Sequence, residues 1–201
     1  MTLLVLLLIA FTVAHIVPAI PRAKAAVQRR LGKSYGAIYG LTSLVLLVLC
    51  IWAMRHAEPG FFYDPPVWGR HANFLFTLVA FIFVGIFIGR GSWRNAVRYP
   101  MAIAVCFWAT GHLLANGEAT RVVFIIGLAA AALLHAFLAS RLTQREPSVE
   151  RGGHNLFSVL MGIALYGLMA QLHGVIIGVP VIDLSSFGPG GAGSSDRLAG
   201  P

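Results

Sequence analysis

Residues 72–89 run for eighteen positions without an Asp, Glu, Lys or Arg, and five further stretches of the same kind lie at 3–17, 37–54, 100–114, 122–139 and 156–179. A helix rises 1.5 Å per residue, so an eighteen-residue run reaches about 27 Å, close to the roughly 30 Å of hydrocarbon in a bilayer. Soluble domains hold about 45–50 % apolar residues. This chain holds 58 % with a mean hydropathy of +0.79, more than a core of 201 residues can hide, so most of its apolar surface must face lipid. The expected fold is therefore all-α, a polytopic integral membrane bundle of about six transmembrane helices filling residues 1–180. No room remains for a separate soluble domain.

The punctuation between runs fits that reading. Pro18 and Pro21 stop the first run, because proline removes a backbone donor and clashes with the preceding turn. Residues 22–33 carry five positive charges and no acid, with Ala25, Ala26, Val27 and Leu31 to lie on the membrane surface, so a short interfacial helix is expected there. The connection 56–70 mixes turn formers (Pro59-Gly60, Asp64-Pro65-Pro66) with Phe61, Phe62, Tyr63 and Trp68, aromatics suited to the headgroup level. Pro100 opens the fourth run, where a proline in a first helical turn costs least. Asn116-Gly117-Glu118 turns the chain back. Residues 181–201, rich in Gly, Ser and Pro, are expected to be disordered.

Lys and Arg number 15 against 7 acids, a net charge of +8. A nucleic-acid surface would gather them on one patch. Instead 11 of the 15 fall in alternate connections, which by the positive-inside rule turns both termini outward and excludes nucleic acid as a partner. Met1-Thr2 leads directly into apolar residues without the charged start of a secretory signal, so the first run is expected to be retained as a helix. Cys50 and Cys106 lie inside apolar runs without CxxC spacing and read as small buried side chains.

The middle of every run lacks a carboxylate or a cation, and no strong internal repeat is evident, which argues against an ion-coupled transporter. What polar chemistry the spans keep is mostly imidazole. His15, His112, His135 and His173 each fall on a different expected helix, with His56, His71 and His154 at helix ends or loops. A neutral imidazole is a common metal and haem ligand, and a single buried one is more often interhelical hydrogen-bonding glue. Four on separate spans shift the balance toward a cofactor. A haem between helices needs two facing imidazoles, an apolar lining and cations at the membrane edge, and the chain holds all of these ingredients.

The fourth run is densest in features: Trp108 and His112, four apart, share a face, Gly111 allows another body to approach beside His112, and Asn116 lies one turn further on. Together these form a candidate pocket wall. The plainer reading is that Trp108 packs as an interfacial aromatic and Asn116-Gly117 only turns the chain.

At this point the chain resembles the NnrU family of bacterial membrane proteins, which is related to the plant 15-cis-zeta-carotene isomerases. The resemblance rests on Ala14-His15 followed by Pro21-Arg22, on Leu31-Gly32 with Tyr39 and Ser43, and on Pro100 followed by Trp108-x-x-x-His112-Leu-Leu-Ala-Asn116-Gly117-Glu118. It covers roughly residues 1 to 160. It implies a heme b-binding membrane protein, associated in bacteria with denitrification and nitric oxide metabolism, in which His15 and His112 match the isomerase ligand positions and hold the metal through haem iron. The isomerases use haem iron to convert a cis carotenoid double bond to trans. They carry His where this chain has Tyr99 and Cys where it has Ala109, so the alternative thiolate ligand is missing here.

Depth along the helices points elsewhere. His15 lies about four residues and His112 about thirteen from the same membrane edge, a difference of roughly 13 Å for straight upright helices. On level alone His15 pairs with His135, and His112 with His173. His15 and His112 stay the expectation from the resemblance, with His135 the rival and His173 behind it. Two functions remain open: a redox-linked, isomerase-like haem protein acting on a hydrophobic small molecule, or a non-enzymatic subunit or assembly factor for a nitrogen-oxide reductase.

Overall fold

The computed structural model describes residues 1–144 and 147–181. It is an all-α bundle of α1 (Thr2–Ile16), α2 (Pro21–Leu31), α3 (Tyr35–His56), α4 (Gly69–Ile88), α5 (Ser92–Ala96), α6 (Pro100–Ala115), α7 (Ala119–Leu142) and α8 (His154–Ile177), with short 3-10 turns at Val17–Ala19 and Gly32–Ser34. Among the described residues five segments are long and apolar enough to cross a membrane, and α6, with 16 residues, is apolar but shorter. It reaches only about 24 Å. Its length is set by Pro100 at one end and by Asn116, whose φ of −151° and ψ of 121° leave the helix, at the other.

Most helices run a turn or less past the apolar runs, because backbone hydrogen bonding carries on beyond the last apolar residue, through Arg55 on α3 and Arg141 on α7. Helix α8 ends earlier than the run 156–179, since Gly178 takes a left-handed φ of 88° that stops it after Ile177. The tail expected at 181–201 lies, from residue 182 onward, outside the described residues.

The six long helices form a closed ring: α1 packs on α3 and α7, α7 on α6, α6 on α4 and α4 on α8, while α8 meets α3 lightly. Lipid exerts no hydrophobic pressure between helices, so close approach has to come from small residues. On α4, a Cβ at Gly85 would run into the Ser158 carbonyl of α8, and one on Gly162 of α8 would lie 2.6 Å from the Phe81 carbonyl of α4. The interior holds Leu4, Leu8, Cys50, Ala53, Met54, Ala109, Phe124 and Ile125. The outward faces are apolar too, with Leu6, Leu41 and Leu156 each about 60 % exposed, as contact with lipid requires.

The ring has two chemically distinct ends. One carries α2, which buries none of its side chains, together with the basic connections around Arg90, Arg98 and Arg141; we call it the basic end. The other carries residues 57–68. There Phe62 N–H donates to the Gly117 carbonyl (2.9 Å) and Ala119 N–H to the Gly60 carbonyl (2.7 Å), strapping that loop over the α6–α7 turn; we call it the loop end.

Candidate functional site

At the loop end α6 and α8 bring His112 and His173 together across the ring, with imidazole centres 6.4 Å apart and planes 32° apart. Each is held by a backbone carbonyl. The Nδ1–H of His112 donates to the Trp108 carbonyl (2.9 Å), and that of His173 to the Val179 carbonyl (2.6 Å). A carbonyl can only accept, so both Nδ1 atoms must carry a proton, and in the neutral form of each ring Nε2 is the atom left with a lone pair. This is how metal-ligating histidines are usually oriented. A metal–nitrogen bond of about 2.0–2.1 Å puts an imidazole centre about 3.2 Å from its ion, so two imidazoles on opposite sides of one ion stand about 6.4 Å apart. The observed pair has that spacing.

Several local features hold the pair. Trp108 lies against His112, ring centres 4.8 Å apart, and its edge meets Phe124 at 6.3 Å. His173 can reach the Val179 carbonyl because Gly178 turns the chain back over the last turn of α8. Arg55 donates to the Val175 (3.2 Å) and Ile176 (3.0 Å) carbonyls, groups that the helix end leaves without partners and at negative potential. That clamp closes the light α3–α8 seam beside His173. Arg70 adds a weaker bond to the Val181 carbonyl at 3.5 Å.

Gly111 and Asn116 act through packing. Gly111 is buried against α4, where a Cβ would stand 2.7 Å from Asn73 Oδ1 and 2.8 Å from Phe76, so the body that approaches beside His112 is helix α4. Asn116 accepts the Glu118 N–H on its side chain (2.9 Å) and the Tyr63 hydroxyl on its carbonyl (2.9 Å). Tyr63 also donates to the Leu113 carbonyl, one of the groups left over at the end of α6. Its single proton is shared between the two. Desolvation pushes the Tyr63 phenol above its ordinary range, which keeps that proton in place.

The basic end holds the other two span histidines. His15 on α1 and His135 on α7 have ring centres 5.4 Å apart, and the His135 Nδ1–H donates to the His15 carbonyl (2.8 Å). His15 Nδ1 lies 3.3 Å from the Tyr39 hydroxyl of α3, and Phe11 stacks on its ring at 5.0 Å. The structure thus gives His15 and His112 separate partners. His112 stands three residues from the end of α6, and His135 sixteen residues into α7 from the same end of the bundle. At 1.5 Å per residue the two pairs lie roughly 20 Å apart in level. His56 and His154 serve helix ends: His56 Nδ1–H donates to the Trp52 carbonyl (2.8 Å) and His154 Nδ1 accepts the Arg90 N–H (3.4 Å).

Around His15 the structure adds what the histidine count alone did not: Tyr35, Tyr39 and Ser43 occupy one face of α3. Tyr35 and Tyr39 rings are 6.2 Å apart, and the Tyr35 hydroxyl and Ser43 Oγ are buried without a hydrogen-bond partner. Such orphans cost about 1–3 kcal/mol each. Their four-residue spacing was the available signal, since it places three hydroxyls on a single helical stripe.

Two grooves lie elsewhere. One of about 650 Å³ at the basic end is lined by Asn95, Arg98, Ser140, Arg141, Leu142, Thr143 and Gln144. An apolar one of about 410 Å³ runs between α1 and α7 past Leu8, Thr12, Phe62 and Gly127. Neither includes a histidine. Among the described residues no group of three or more His, Cys, Asp or Glu side chains converges.

Against known proteins, a family model described as NnrU protein matches residues 3–181, nearly the whole chain. No curated protein and no solved structure matches.

Proposed function

Because this chain belongs to the NnrU family, we propose that it is a multi-pass membrane protein that binds heme b through His112 and His173, with both termini outward from a bacterial inner membrane, and serves nitrogen-oxide metabolism. The observation that carries the reading is the imidazole pair itself: 6.4 Å between centres, each Nδ1–H committed to a backbone carbonyl. A bare zinc ion takes three or four protein donors, and among the described residues no group of three converges. A porphyrin would bring four nitrogens of its own, so His112 and His173 would be the protein's donors to it. Arg55 and Arg70, at the same membrane edge, offer cations for its propionates.

Heme b held there would supply one-electron exchange. The protein's own contribution is to fix both rings. The Trp108 carbonyl and the Gly178 turn each hold one tautomer and one ring plane, Trp108 shields the His112 face from lipid, and Arg55 keeps the end of α8 against α3. Ala109, three residues before His112, carries no thiol, so no thiolate from that position can replace an imidazole. That favours electron exchange over isomerase-like chemistry at the metal.

The test is optical. Protein purified from haem-replete membranes should show a Soret band that His112→Ala and His173→Ala each abolish or shift, while His56→Ala and His71→Ala leave it unchanged. Protein without a Soret band, or a band indifferent to both substitutions, would falsify the reading.

A further inference from the structure

The groove of about 650 Å³ at the basic end stands apart from the histidine pairs. It lies where the α5–α6 connection meets the end of α7, and the Thr143 hydroxyl ties it to the α1–α2 connection by donating to the Ala19 carbonyl (3.4 Å). Two guanidinium groups line it. Arg98, just before α6, donates to the Ser140 carbonyl at 3.5 Å, so its charge stands beside the backbone of Arg141, the next residue of α7. Among the described residues that long bond is the one hydrogen bond the Arg98 side chain makes, Arg141 makes none, and no carboxylate pairs with either. A guanidinium carries five N–H donors, so most of the donors in this pair are unclaimed.

The remaining wall keeps the one described acid of this end occupied. Asn95 Nδ2 donates to Glu150 Oε1 and to the Ser148 carbonyl, both at 3.0 Å, while its Oδ1 accepts the Ser148 N–H (3.0 Å) and hydroxyl (2.9 Å). Two like charges in one groove with no acid between them repel, and an anion held between them turns that repulsion into attraction. Position selects among anions. Arg141 lies over the ring of Phe137 (5.5 Å), which is 56 % exposed on the apolar surface of α7, and Arg98 lies over the ring of Tyr99 (5.3 Å). Leu142, in the groove lining, and Trp93, on α5, are exposed as well. The guanidinium groups therefore stand where lipid-facing surface ends, at the level of a bilayer's phosphates.

We propose that this groove binds the phosphodiester headgroup of an anionic membrane lipid, with Arg98 and Arg141 sharing its phosphate oxygens and an acyl chain lying against Leu142 and Phe137. The planar fork of arginine suits that acceptor, because two parallel N–H groups meet two phosphate oxygens. The site holds whether or not His112 and His173 bind a haem.

The experiment titrates full-length protein in an uncharged detergent with phosphatidylglycerol, phosphatidylcholine or inorganic phosphate and counts bound molecules by native mass spectrometry. One tightly retained phosphatidylglycerol per chain is expected, with phosphatidylcholine, whose choline cancels the phosphate charge, retained more weakly and inorganic phosphate unable to displace the lipid. That preference is read on the unmodified protein and needs no variant to fold. A basic group at a membrane surface is worth roughly fivefold in binding, so Arg98→Gln combined with Arg141→Gln should weaken retention about 25-fold. Arg29→Gln combined with Arg30→Gln removes the same charge from the last turn of α2. Those residues lie about 12 Å or more beyond the start of α2, past a screening length of about 8–10 Å, so this pair should change retention by less than about twofold. Equal retention of the two lipids, or equal losses in the two double variants, overturns the groove as the site. Displacement by inorganic phosphate at the concentration of the lipid overturns the lipid as its ligand.

Discussion

The same substitution at two glycines should move stability in opposite directions. At Gly85 an added Cβ runs into the Ser158 carbonyl and amide region of α8, backbone that no rotamer change can clear; at Gly40 on α3 nothing lies within 4 Å. Overpacking costs about 1–3 kcal/mol, and a backbone clash belongs in the upper part of that range. Alanine also recovers roughly 0.5–1 kcal/mol that glycine forfeits in a helix. Gly85→Ala should therefore lose about 2 kcal/mol, and Gly40→Ala should gain up to about 1 kcal/mol. The difference of about 2–3 kcal/mol is roughly 30- to 150-fold in the unfolding equilibrium. Denaturation in mixed micelles by added dodecyl sulfate, followed by far-ultraviolet circular dichroism, reads it directly. Because α8 carries His173, Gly85→Ala should also weaken haem retention. A Gly85→Ala protein as stable as Gly40→Ala would refute the close α4–α8 approach and the placing of His173 that follows from it.

Tyr63→Phe removes the hydroxyl that caps the end of α6 and should cost about 1 kcal/mol in the same assay, while proteolysis within residues 57–68 speeds up about fivefold. Arg55→Gln gives up the charge-assisted bonds to the Val175 and Ile176 carbonyls; as Arg55 is exposed, the stability loss should stay near 1 kcal/mol. Its clearer sign should be faster hydrogen exchange over the last turn of α8. Glu118→Gln weakens a half-exposed pair with Arg121 (2.9 Å) and should change stability by under about 1 kcal/mol, since Gln still accepts the Thr120 hydroxyl.

The helical membrane fold was readable because it follows from one-dimensional facts. Runs of uncharged residues need lipid, and Pro21, Pro100 and Gly117 mark where helices begin or turn. Which imidazole meets which was only half readable. Level along a helix is a sum of 1.5 Å steps, and it set His15 beside His135 and His112 beside His173. The order of helices around the ring was not readable, because every span is apolar on nearly all sides and no periodicity marks an inner face. That order is set instead by glycines such as Gly85 and Gly162, whose role depends on the backbone of a packed helix that is distant in sequence. Gly111 shows the same limit: a small residue beside His112 reads equally as room for a ligand or for a helix, and the helix α4 takes it. The backbone carbonyls that orient the histidines carry no sequence signature at all.

The most direct test of the central claim, a haem between His112 and His173, is one pair of absorbance spectra, before and after dithionite, recorded on the purified protein and on His173→Ala. The account predicts a six-coordinate low-spin heme b spectrum in the unmodified protein and a shift toward high spin, or loss of haem, in the variant. A protein that binds no haem, or a low-spin spectrum that survives His173→Ala unchanged, would contradict it.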